Sequence, residues 1–149
     1  INNVLFSPET KEAMIVIDLD TVMPGLMGHD FGDAIRFAAN RVEEDCTDYD
    51  QAQVNLDVFR AFAEGFLSMT AKTMTDTEVK TLAMSCFDLT AELATRFLAD
   101  YLDGDLYFNI RRPDHNLVRA RCQIALAKDM LKNMDKMEAI VEQCVRNSQ

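Results

Sequence analysis

The sequence predicts a mainly α-helical α+β chain in which a short β-hairpin packs on a helical bundle. Three observations carry that expectation. Two short apolar runs, NVLF and AMIVIDL, flank the turn-forming segment SPETKE. From Gln53 onward, apolar residues recur at spacings of three and four along three stretches, as they do in helices that bury one face. Clusters of Gly, Pro, Asp and Asn punctuate these stretches and stop regular structure. With 149 residues, 48% of them hydrophobic, the chain is long enough to bury a core of its own, and it has no internal repeat, low-complexity tract or linker.

The hairpin comes first. A turn centred between Thr10 and Lys11 pairs Val4 with Ile17, Leu5 with Val16 and Phe6 with Ile15. The same register sets Asn3 opposite Asp18 at the open end, within reach of one ion. Amide and carboxylate oxygens suit a hard cation such as Mg²⁺, which keeps several waters and needs only one or two carboxylates besides phosphate oxygens. In the next segment, DTVMPGLMG, Pro24 and Gly25 exclude both strand and helix. Asp30 or a neighbour then opens a helix through DAIRFAAN. The stretch HDFGD looks like a metal-binding signature. Asp30, however, lies beyond the Pro-Gly loop and starts a helix instead of ending a strand, so its expected role is to cap that helix or brace a catalytic loop.

The acidic segment EEDCTDYD reads as a solvated loop, with attraction of a cationic substrate as the alternative. The chain turns helical from Gln53, with Val58, Phe62, Phe66 and Met69 on one face. Thr75 and Glu78 form a capping box ahead of the next helix. There Leu82, Cys86, Leu89, Leu93, Phe97 and Tyr101 hold a stripe that ends at Gly104. RRPDHN breaks the chain again. A single long helix is expected from about Asn116, with Met130, Met134, Met137, Val141 and Cys144 as a core seam.

The net charge of -10 repels a phosphate backbone, which argues against nucleic acid as a partner. No apolar run approaches membrane-spanning length, and no charged-then-apolar leader opens the sequence. The first residue is Ile1 rather than Met, which suggests a cut end. Cys46, Cys86, Cys122 and Cys144 form no CxxC pair and have only His29 and His115 to help them, so reduced core thiols in a cytoplasmic protein are expected rather than a zinc site.

The segments INNVLF, IVIDLDTVMPGLMGHDFGDAIRFAAN and RFLADYLDGDLYFNI, with HNLVRARCQIAL after them, closely resemble the C-terminal part of the N-acetylhexosamine 1-kinases. Those enzymes belong to the aminoglycoside phosphotransferase and choline kinase superfamily, and the likeness runs along essentially the whole chain. It implies that residues 1–149 are the distal half of the C-terminal lobe of a kinase-like phosphotransferase. In the superfamily the catalytic loop reads His-x-Asp-x-x-x-x-Asn. Its Asn corresponds to Asn3, so the Asp that takes the acceptor proton would precede Ile1, as would the lobe carrying the nucleotide-phosphate lysine.

The resemblance further implies that Asn3 and Asp18 bind Mg²⁺, with Asp20 assisting through a water. It implies ATP as cosubstrate, and it sets Phe37, Arg96 and Tyr107 at the hexosamine site. An aromatic face stacks on a pyranose, while Arg and Tyr donate to hydroxyls or an acetamide carbonyl. Each position also has a plainer reading. Phe37 sits on a helix with Ile35 and Ala38 and suits the core. Arg96 has Glu92 and Asp100 four positions away on either side, as in a surface ion pair. Tyr107 follows a chain break, where aromatics often only pack.

The resulting expectation is part of an ATP- and Mg²⁺-dependent kinase acting on the anomeric hydroxyl of an N-acetylhexosamine, inactive by itself. An aminoglycoside, choline or another sugar as acceptor is one alternative, and a non-catalytic helical interaction module is another. Apolar residues such as Leu5, Ile15 and Ile17 are expected to lack cover on one side, which favours self-association near residues 1–20.

Overall fold

The computed structural model describes residues 3–20 and 22–148; the reading of the first residue lies outside them. The fold class is the expected one, mainly helical with a short hairpin: among the described residues there are five α-helices and one two-stranded antiparallel sheet. No helix among the described residues is long and apolar enough to cross a membrane.

Strands β1 (Val4–Phe6) and β2 (Ala13–Val16) form the hairpin, but in a different register from the one expected. Val4 pairs with Val16, Leu5 with Ile15 and Phe6 with Ala13, leaving Met14 as the bulged residue. The turn explains the slip. The Ser7 N–H donates to the Glu12 carbonyl and the Lys11 N–H to the Ser7 carbonyl. Ser7 Oγ accepts from the amides of Glu9 and Thr10, and Lys11 takes a left-handed φ of 61°. This loop is wider than a two-residue turn and feeds β2 in one residue out of step.

The expected packing of the hairpin on the bundle is not found. Neither strand touches a helix, and Leu5, Phe6, Met14, Ile15, Val16 and Ile17 remain largely exposed. The apolar residues are consecutive, so they point to both faces of the ribbon. A sheet apolar on both faces needs a layer on each side to be covered.

Helix α1 (Met27–Ala38) starts behind Leu26, which supplies no side-chain cap. Asp30 is exposed in the first turn and does not cap the helix, which corrects the capping half of the expectation; its carboxylate there complements the helix dipole. The structural residues of HDFGD are its Phe and Gly. Phe31 is fully buried, edge-on to Phe59 at 5.7 Å and to Phe66 at 5.2 Å. Gly32 lies against the Ser85 backbone so closely that a Cβ would sit 2.5 Å from the Ser85 carbonyl oxygen.

Helix α2 (Leu56–Thr70) begins later than Gln53 because Asn55 caps it, its side chain accepting from the N–H groups of Asp57 and Val58. Its buried line is Phe59, Ala63 and Leu67. Val58, Phe62 and Phe66 flank that line, and Met69 of the expected stripe is exposed.

Helix α3 (Asp76–Leu102) opens with the expected Thr75–Glu78 capping box. It closes at Gly104 (φ 94°), where the Asp105 N–H reaches the Asp100 carbonyl and the Gly104 N–H reaches that of Tyr101, a Schellman closure. Helices α1, α4 and α5 all pack on α3.

The expected single C-terminal helix is two, α4 (His115–Lys132) and α5 (Met134–Ser148). Asn133 makes the break. Its N–H donates to the carbonyls of Asp129 and Met130, its carbonyl accepts from Lys136 and Met137, and its amide nitrogen returns to the Asp129 carbonyl. The chain therefore turns, and α5 lies against α2 and α3 with Met134, Met137, Val141 and Cys144 buried as expected.

Two glycines separate contact from propensity. Gly32→Ala is expected to lower unfolding stability by about 1–3 kcal/mol, because backbone must shift to admit the methyl. At Gly65, in α2, a Cβ meets nothing within 4 Å, so Gly65→Ala is expected to gain about 0.5–1 kcal/mol from helix propensity. Denaturant unfolding followed by circular dichroism reads both; equal effects at the two positions would contradict the close α1–α3 approach.

Candidate functional site

At the open end of the hairpin Asn3 and Asp18 do come together, although the register that led to the expectation is not the one adopted. In the actual register the Ile17 N–H donates to the Asn3 carbonyl. Asp18 then takes a left-handed φ of 61°, and Asn3 Nδ2 donates to Asp18 Oδ2 at 3.1 Å. Both side chains are exposed, as is Asp20. Asn3 Oδ1 and Asp18 Oδ1 are not used by this bond, so the pair offers oxygen donors in water, a set that fits a hard cation retaining part of its hydration shell. No cluster of three or more His, Cys, Asp or Glu side chains suited to a metal occurs among the described residues.

Asn3 also lines a cavity of about 290 Å³ with Asp33, Ala34, Arg36, Phe37 and Phe62. Phe37 is therefore not core; the residue is 51% exposed on the outer face of α1. Two residues singled out on separate grounds, Asn3 and Phe37, share this cavity.

Arg96 and Tyr107 form a second group. The Arg96 guanidinium lies 5.6 Å from the Tyr107 ring centroid and 5.4 Å from that of Phe108. It also approaches Glu92 at 3.7 Å, with both side chains about half exposed. Asp100, the other expected ion partner, turns away. Its carboxylate accepts the backbone N–H groups of Leu106, Tyr107 and Phe108 and the amide of Asn116. Burial raises the Asp100 pKa, but those N–H donors outweigh it and hold the carboxyl below its usual value. Asp100 thus fixes the loop that presents Tyr107. No aromatic or cation–π contact joins Arg96 or Tyr107 to Phe37 among the described residues.

A third group has no precursor in the sequence reading. The acidic segment is not simply solvated, because two of its five carboxylates, Glu44 and Asp45, are tied to basic residues outside it. Asp45 Oδ2 meets Arg112 NH1 at 2.9 Å and His115 Nε2 at 3.0 Å. His115 is buried, and its Nδ1 accepts the Arg111 N–H, so the ring proton sits on Nε2 and is donated to Asp45. Glu44 pairs with Arg36 at 2.9 Å, and Arg36 also bonds Asp33. The Arg112 bond, opposed in part by burial and aided by His115, holds the Asp45 carboxyl below its ordinary value of 3.8. No spacing rule links residues 67 to 70 positions apart, so only the folded chain reveals the cluster.

The cysteines are free thiols, with Cys86, Cys122 and Cys144 buried and Cys46 half-buried. Burial pushes the Cys122 thiol up to about 11, which leaves it an apolar neighbour and not a nucleophile. No protein-family model matches the chain.

The Asp45 cluster is expected to be structural. Asp45→Ala strands the buried His115 Nε2–H and should cost about 1–3 kcal/mol near neutral pH. Because the folded-state pKa of Asp45 is depressed, its contribution is complete above 3.8 and disappears as pH falls through the lower folded value. Urea unfolding measured from pH 7 down to pH 2 checks this. The variant should lose part of the acid-limb slope, and an unchanged slope would remove Asp45 from the account.

Proposed function

We propose that the chain supplies the metal-binding and acceptor-binding half of a phosphotransferase that uses ATP and Mg²⁺ to phosphorylate the anomeric hydroxyl of an N-acetylhexosamine. One observation carries most of the weight. Asn3 pairs with Asp18 at 3.1 Å and also borders the cavity that Phe37 enters. Oxygens suited to a hard cation thus adjoin an aromatic face suited to a pyranose.

Asn3 and Asp18 are the direct ligands in this reading, and Asp20 assists through a water. Bound Mg²⁺ supplies neutralisation of the ATP phosphate oxygens. The bond from Asn3 to Asp18 orients the carboxylate, and Phe37 excludes water from one face of the acceptor. Arg96 and Tyr107 donate to its hydroxyls or acetamide; they are neighbours of each other, and their assignment rests on the family resemblance. In this reading the acceptor proton goes to the Asp of the superfamily's catalytic-loop motif, a role assigned to none of residues 1–149. Four free thiols support a reducing, cytoplasmic setting.

Titration of the isotope-labelled chain with Mn²⁺ tests the metal site without requiring activity. Paramagnetic broadening is expected first at residues 3 and 18–20. Asp18→Asn should weaken it about tenfold, while Asp30→Asn leaves it unchanged. Broadening centred on residues 43–50 instead would transfer cation binding to the acidic segment and defeat the assignment.

A second reading, an interaction module, is favoured by the uncovered ribbon, whose apolar residues and strand edges are open. It leads to self-association through residues 4–17. Sedimentation velocity at rising concentration is expected to show a dimer that Ile15→Lys returns to monomer; a wild-type chain that stays monomeric at the highest concentration would exclude it.

A further inference from the structure

The hairpin is not alone in leaving apolar residues uncovered. Between α3 and α4, Phe87, Ala91 and Leu98 line a groove of about 250 Å³ with Ile124, Ala127 and Lys128, and Leu98 and Ile124 are exposed there. A cavity of about 400 Å³ shares Ile124 and Lys128 with this groove and adds Arg121 and Lys132. Residues 121, 128 and 132 stand seven and four positions apart, one row along α4, so the groove has a basic rim. None of the three enters an ion pair among the described residues. Nearby acids do not cancel the row. Asp129 gives its carboxylate to the Val54 N–H and the Asn133 amide, and Asp88 and Glu92 of α3 do not line the groove. Exposed Asp50 is left against three cations.

Charge decides what fits. The chain carries -10, so a second copy is repelled over most of its surface and attracted to a positive rim. The uncovered ribbon matches that rim: residues 3–20 hold Glu9, Glu12, Asp18 and Asp20 against Lys11 alone. Leu5 pairs with Ile15, and Ile17 follows two residues on, so these three exposed side chains share one face. Lengths agree as well. From Phe87 to Leu98 the groove runs about 16 Å along α3, and residues 13–17 extend about 13 Å. Ribbon on ribbon would instead bring like-charged acids together. The chain's own ribbon does not fill the groove, since neither strand touches a helix.

We propose that the α3–α4 groove is the docking site for the hairpin of a second copy of this chain. Leu5, Ile15 and Ile17 pack between Phe87, Leu98 and Ile124, while the ribbon acids meet Arg121, Lys128 and Lys132. The proposal rests on the interaction-module reading, not on phosphotransfer, and names the surface that receives the ribbon.

Sedimentation velocity of the 149-residue chain and two charge-reversed variants tests it. Arg121→Glu with Lys128→Glu reverses the rim, and Glu9→Lys with Glu12→Lys reverses the ribbon; all four side chains are exposed and lie outside the metal and acceptor residues. Each variant alone should self-associate about tenfold more weakly than the parent. An equimolar mixture should recover the parent's association, because every ribbon then meets a rim of opposite charge. Undiminished association of the rim variant alone would overturn the docking site and leave the interaction reading standing with a ribbon-on-ribbon contact. A mixture that associates no more tightly than its separate components would also overturn it. A parent chain that stays monomeric at the highest concentration defeats the interaction reading and the docking site together.

Discussion

The helical body depends on the close approach of α1 to α3. Gly32 brings the two backbones near enough that the Ser85 carbonyl occupies the place of a side chain, and Gly28 leaves the same kind of space for the Ser85 hydroxyl one turn earlier. That proximity drives Phe31 inward, where it packs against Phe59, Phe62 and Phe66 of α2. One helix with small residues on one side and an aromatic on the next thereby joins two others. The Asn133 break is the complementary requirement, since a straight C-terminal helix would carry Met137, Val141 and Cys144 away from the core they help to fill.

With that frame set, electrostatics organise what lies on it. The segment from Asn40 to Val54 leaves α1 and returns to α2, closed by the Arg41–Gln53 and Asn55–Ala39 backbone bonds. Its carboxylates do not all point to water. Glu44 and Asp45 reach Arg36, Arg112 and His115, while Asp129 of α4 accepts the Val54 N–H. In a chain of net charge -10, pairing these acids with nearby basic side chains relieves repulsion where residues 44 and 45 lie between Arg36 of α1 and Arg112 and His115 at the start of α4. Asp100 acts similarly with neutral donors, gathering three backbone N–H groups so that the loop after α3 holds Tyr107 against Arg96.

The hairpin follows a different rule. Apolar on both faces and touching no helix, it keeps its shape through its own ladder and the Ser7 turn. Its open end places the Asn3–Asp18 pair in solvent beside the Phe37 cavity. Metal and acceptor chemistry, in the proposed function, therefore sit at the junction between the uncovered ribbon and the packed helices.

Local chemistry made part of this legible in the sequence. The capping box at Thr75, the Gly104 stop, the buried Met seam and the existence of the hairpin rest on contacts between residues a few positions apart, which spacing reveals directly. The proximity of Asn3 and Asp18 was also readable, because an antiparallel ribbon brings its ends together in either register; the left-handed Asp18 absorbed the one-residue error. What lay beyond sequence reading depended on competition between distant groups. Asn133 ends α4 because α5 gains contacts with α2 and α3 that a straight helix forgoes. Phe37 points outward because Phe31 and Ile35 already fill the inner face of α1. The Asp45–His115 bond and the unpartnered Gln123 arise where three chain segments meet, and no periodicity records which polar groups such a meeting satisfies and which it leaves open.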